Sequence, residues 1–147
     1  MFDLNQIDYD RENDLELTFK IDEDFRFLYC KTCGVVKRGS DGNNSADYLF
    51  GKLCQYYFQT EIFALILDFY NLEYEHGDRL RKTINFFNQI GRDEHEKKNP
   101  IILIEPVDPK GIRSLIDWVK PKHLHIARDI EQSKNLAFNL FNQEFGS

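Results

Sequence analysis

A chain of 147 residues, 41% hydrophobic and 14% aromatic, suits one domain with a full core and is too apolar for a disordered tail. Its formal net charge of −6 opposes both a phosphate backbone and an anionic lipid surface, which argues against generic nucleic-acid binding and against membrane docking. No apolar run approaches the roughly 20 residues that span a bilayer. The start, Met1 to Asp8, also lacks the basic and apolar regions of a signal peptide, so the sequence reads as cytoplasmic, with Cys30, Cys33 and Cys54 as reduced thiols.

Residues 1–14 hold Asp3, Asp8, Asp10, Glu12 and Asp14 against the single base Arg11 and read as an acidic extension, with Phe2, Leu4 and Ile7 as its anchors. Residues 15–147 read as one domain. Leu15, Leu17, Phe19 and Ile21 alternate with polar residues and predict a half-buried strand. Asp22-Glu23-Asp24 makes a turn; Phe25, Phe27 and Tyr29 share one face of a second strand, and Gly34 to Lys37 form a short third one in a meander. Gly39 to Ser45 is turn-rich and predicts a loop. A helix then starts near Ser45, with Ala46, Leu49, Phe50, Leu53, Cys54 and Tyr57 on one face.

The apolar run Ile62 to Leu67 ends abruptly in Asp68, the pattern of a strand buried on both faces and hence parallel. A helix over about 78–90 places Leu80, Ile84 and Phe87 inward, and the charged residues 91–99 form a loop. Ile101 to Ile104 make a second buried strand. Asp108-Pro109 opens a helix, with Ile112, Leu115, Ile116 and Val119 inward and Pro121 at its end. Leu124 to Ala127 are a short peripheral strand, and Asp129 caps a last helix carrying Ala137, Leu140 and Phe141. The order predicts an α/β fold: a mixed sheet with an N-terminal antiparallel meander and a C-terminal parallel βαβαβα half, strands 62–67 and 101–104 central.

Loops at the carboxyl ends of parallel strands are where such sheets meet ligands and partners. The candidate binding edge is therefore Asp68, Phe69, Tyr70, Tyr74, Glu75, His76, Asp78 and Arg79. His76 lies between Glu75 and Asp78, a pairing fit for acid–base work or, more simply, for a polar loop histidine ordered by a carboxylate. Asp68 ends its strand as the phospho-accepting aspartate of a receiver does, with Asp22-Glu23-Asp24 after the first strand as the acidic pair and Lys110 as the lysine that a receiver also needs, but those acids fall in a meander turn. Cys30 and Cys33 have the spacing of half a zinc knuckle without a second half, so they read as ordinary strand cysteines. His95 falls in the charged loop, and His123 and His125 flank Leu124. No glycine-rich phosphate loop is present. Tyr48, Tyr56, Tyr57, Phe58, Phe69, Tyr70 and Tyr74 crowd two short stretches and divide between core and surface.

From about Phe25 to Phe141 the pattern resembles the STAS domain, the family of bacterial anti-sigma factor antagonists. The resemblance rests on the turn Gly34-Val35-Val36, the strand Leu65-Ile66-Leu67-Asp68, the trailing Leu72-Glu73-Tyr74, the loop-to-helix junction, the strand Ile101 to Ile104 and the closing strand and helix. It implies a non-catalytic regulatory protein without cofactor or metal, whose partner is a regulatory kinase or sigma-pathway protein. The family carries Asp-Ser-Ser-Gly at the junction, with one serine phosphorylated; here His76-Gly77-Asp78-Arg79 stands there, without a hydroxyl. The phospho-switch is therefore not expected, and Asp78 is either a charge mimic of phosphoserine or a helix cap. The alternative reading is an immunity-type inhibitor, a compact acidic domain that blocks a basic toxin or nuclease. The sequence leaves the oligomeric state open.

Overall fold

The computed structural model describes residues 3–12, 15–36, 39–74, 78–90, 99–117 and 124–146. Its strands are β1 (Asn5–Glu12), β2 (Leu15–Asp22), β3 (Phe27–Val36), β4 (Ala64–Asp68), β5 (Leu72–Tyr74), β6 (Ile101–Ile104) and β7 (Leu124–Ala127). Its helices are α1 (Gly39–Gln59), α2 (Asp78–Gln89), α3 (Lys110–Ile116) and α4 (Ile130–Phe145). The strands form one mixed sheet in the order β1-β2-β3-β4-β6-β7, with β5 alongside the end of β3. β1, β2 and β3 pair antiparallel, and β4, β6 and β7 extend the sheet in parallel from β3. The expected α/β class, the meander and the central, parallel β4 and β6 are all observed.

Alternation along β4 divides the core in two. Leu65 and Leu67 join Leu49, Leu53, Ile84, Phe87 and Ile112 of α1, α2 and α3 on one face. Ala64 and Ile66 meet Ala137 and Phe141 of α4 on the other. Three successive parallel crossovers that all step the same way across the sheet must lie on the same face if each is right-handed, which places α1, α2 and α3 together. Asp129 caps α4 as expected, its carboxylate accepting from Gln132 N at 2.8 Å.

Local expectations shift in four places. First, the acidic extension contains β1: Asp8 and Asp10 are tolerated on a strand because α1 supplies their partners. Lys52 Nζ lies 3.6 Å from Asp8 and 3.1 Å from Asp10, and the Tyr56 hydroxyl donates to Asp8. Second, Gly34 to Val36 are not a separate strand but the end of β3, and Phe25 precedes that strand. Gly34 takes φ 124°, a conformation that favours glycine, and its N–H donates to Asn71 O at 3.2 Å. Third, α1 begins at Gly39 rather than Ser45. The buried stripe Ala46, Leu49, Leu53 and Tyr57 stabilises a helix that turn-rich local sequence would not form alone. Fourth, α3 ends at Ile116; Val119, Pro121 and His123 lie outside the described residues, as do the side chain of Leu115 and the loop 91–98 with His95.

Asp8 has its pKa held below the ordinary carboxylate value, chiefly by the Tyr56 hydroxyl and then by the charge of Lys52. A lowered folded-state pKa stabilises the fold above the unfolded value, and that stabilisation is lost as pH falls through the folded one. Acidification below about pH 4 is therefore expected to loosen β1 first. Hydrogen exchange, corrected for intrinsic rates, should show residues 5–12 losing protection before β3. Equal protection of both strands down to the acid transition would contradict this.

Candidate functional site

β4 delivers its last residues to the carboxyl edge of the sheet. Asp68 shares the α4 face with Ile66 and is buried. Its carboxylate accepts from the Tyr29 hydroxyl and from Tyr70 N, the latter at 3.0 Å. Burial and this neighbouring carboxylate push the Tyr29 phenol far above its ordinary pKa, so it stays a neutral donor. Asp68 thus clamps a tyrosine of β3 and the turn after β4. The receiver-like alternative fails on register: Asp22 pairs with Phe27, and Phe27 with Ala64, so Asp22 to Asp24 sit at the opposite end of the sheet from Asp68.

Alternation turns Phe69 to the other face, where it is fully buried in the core with Leu67 and Leu72. Phe69 therefore does not present itself to a partner in this fold. Tyr70 is 49% exposed, and Tyr74 is half-buried against the core. Arg79, near the start of α2, places its Nη1 3.1 Å from Asp47 Oδ1 of α1. Asp78 is the first residue of α2; its side chain, and all of Glu75 and His76, lie outside the described residues.

Tyr70, Asn71, Leu72, Glu73 and Tyr74 make one wall of a cleft of about 540 Å³, and Val107, Asp108 and Gly111 the other. β5 pairs with β3, and its Tyr74 carbonyl lies close to Gly111. The walls are joined at the base by Phe69 N donating to Ile104 O at 3.1 Å and Val107 N to Tyr70 O at 3.2 Å. Val107 is 73% exposed beside Tyr70. Arg113 Nε donates to Glu105 Oε1 at 3.2 Å and braces α3 against the end of β6. The second wall was missing from the expected edge. The signal was available: Val107 to Gly111 follow the other central parallel strand, where the rule that pointed to Asp68 applies equally.

Among the described residues the cleft offers phenols, an amide, two carboxylates and apolar surface. Among the described residues, no three His, Cys, Asp or Glu side chains group to hold a metal. Cys30 projects into the α1 side of the core, beside Thr32 at 3.7 Å; burial pushes its thiol up to about 12. Cys33, an odd number of residues along the same strand, projects to the opposite face. The two sulfurs therefore do not converge on one ion. Purified protein is expected to carry no stoichiometric zinc; zinc that is present and lost on Cys33→Ser would contradict this.

No family model matches the sequence, and no curated protein matches it. No helix among the described residues is long and apolar enough to cross a membrane. In three dimensions the chain is similar to the anti-sigma factor antagonist SpoIIAA in its unphosphorylated form, with a TM-score of 0.52 and 12% sequence identity over 95% of this chain and 98% of that one. At that identity the likeness is one of fold, and the fold is STAS-like.

Proposed function

We propose that the chain is a non-catalytic cytoplasmic regulatory module that binds another protein through the cleft between β5 and α3, in the manner of an anti-sigma factor antagonist but without a serine switch. The observation that carries this reading is the pairing of exposed Tyr70 and Val107 at the mouth of a cleft whose walls are built on buried strands. Aromatic anchors on a rigid base are what binding hot spots require. The partner is a kinase or sigma-pathway protein, by extension from the fold. The inhibitor reading draws on net charge, but Asp8 and Asp10 of the acidic segment are engaged by Lys52, which weakens it.

A pull-down with Tyr70→Ala and Tyr74→Ala tests the proposal. Loss of a hot-spot aromatic costs about 2 kcal/mol or more of binding. Both variants are expected to fold and to lose the partner. If both fold and retain it, the working surface lies elsewhere; a toxin as the retained partner would favour the inhibitor reading.

A further inference from the structure

The cleft between β5 and α3 brings negative charge and aromatic surface to one place. Glu73 and Asp108 stand on its opposite walls, and Tyr70 and Tyr74 lie on the first wall with Asn71. Among the described residues, no lysine, arginine or histidine lines it. Both carboxylates are exposed, and among the described residues neither is in an ion pair. Asp108 Oδ1 accepts from the backbone N–H of Lys110 at 3.3 Å, a bond that leaves its charge unbalanced. The nearby cations do not supply the balance. Arg113 is turned to Glu105, which takes its Nε and Nη2 at 3.2 and 3.3 Å, and Lys110 is exposed at the start of α3, outside the lining. Asp8, Asp10 and Asp47, by contrast, each face a cation of this chain.

Two like charges in one cleft repel each other, and a cation placed between them relieves the repulsion. Phenol faces attract the same charge. Tyr74 is a fixed platform, because its ring lies directly against α3: a Cβ at position 111 would come within 2.9 Å of Tyr74 Cδ1. A guanidinium suits this set better than an ammonium. It is planar, stacks on aromatic rings, is more weakly hydrated and meets a carboxylate with a fork of N–H donors. Exposed Val107 gives its methylene stem an apolar contact. Resting on the reading of this cleft as the partner surface, we infer that it takes an arginine side chain of the partner protein, held by Glu73, Asp108 and a tyrosine ring.

The peptide acetyl-Gly-Arg-Gly-amide, titrated into the isotope-labelled full chain and followed by amide NMR, tests this. Shifts should map to residues 70–74 and 107–111 and saturate at roughly millimolar peptide. The citrulline peptide, which keeps the shape and loses the charge, should bind about 10-fold more weakly, the size of one charge-assisted hydrogen bond. Glu73→Gln combined with Asp108→Asn should weaken the arginine peptide as much without lowering the melting midpoint, since asparagine keeps the oxygen that accepts from Lys110 N. A citrulline peptide that binds equally well, an arginine peptide that leaves the cleft unshifted, or a double variant that binds like the wild type overturns the inference; the citrulline comparison needs no variant to fold. The partner pull-down separates this inference from the reading beneath it. A partner lost with Tyr70→Ala but kept by the double variant refutes the arginine alone, whereas a partner kept with Tyr70→Ala refutes the cleft and the inference with it.

Discussion

Phe69→Ala is expected to destabilise the fold by about 3–5 kcal/mol, while Tyr70→Ala, one residue away, should change stability by only about 0.5 kcal/mol. Phe69 is fully buried between β4 and the helices, so its removal leaves a cavity in the core. Tyr70 is 49% exposed, and the group that bonds to Asp68 is its backbone N–H, which alanine keeps. Since a domain of this size has only about 5–15 kcal/mol to lose, the first variant should unfold early in a urea titration and the second should track the wild type. Tyr70→Ala should fail only in partner binding. Two variants that lose the same stability would contradict the placement of both residues.

Gly111→Ala should destabilise the protein by about 1–3 kcal/mol, the reverse of the usual gain of about 1 kcal/mol for replacing glycine inside a helix. The reason is space: the new Cβ would lie 2.6 Å from the Tyr74 carbonyl oxygen and 2.9 Å from Tyr74 Cδ1. One obstacle is backbone, so β5 or α3 must move as a whole. Because that contact closes the cleft beside Tyr74, partner binding should fall together with the melting temperature. A Gly111→Ala protein that melts at or above the wild-type temperature would show that the two walls are not in contact.

The parts of the fold legible in the sequence were those with strong local periodicity. The run Ile62 to Leu67 and the strand Ile101 to Ile104 announce burial on both faces, and Leu15 to Ile21 announces burial on one. β1 was hidden because its acidic residues read as solvated until Lys52 and Tyr56, far along the chain, are placed beside them. β5 is three residues long with only Leu72 buried, too short for any period to show. The start of α1 was obscured by glycine, serine and asparagine, which local propensity assigns to turns. At the site, alternation past the end of β4 decides that Phe69 is core and Tyr70 surface, a distinction that the bare pair Phe-Tyr does not make. The opposing wall from Val107 to Gly111 was legible by the same rule as Asp68, since it follows the other central parallel strand, β6, which lies next to β4.

The most direct test of the central claim is site-specific photo-cross-linking in cells. A benzophenone amino acid would replace Tyr70 at the mouth of the cleft and, in a second protein, Glu23 in the turn between β2 and β3, at the opposite end of the sheet. The account predicts a cross-link to one discrete protein from position 70, absent from position 23 and lost when Tyr74→Ala is added. Cross-links of equal yield from both positions, or from position 23 alone, would contradict a partner surface at the carboxyl edge of the sheet.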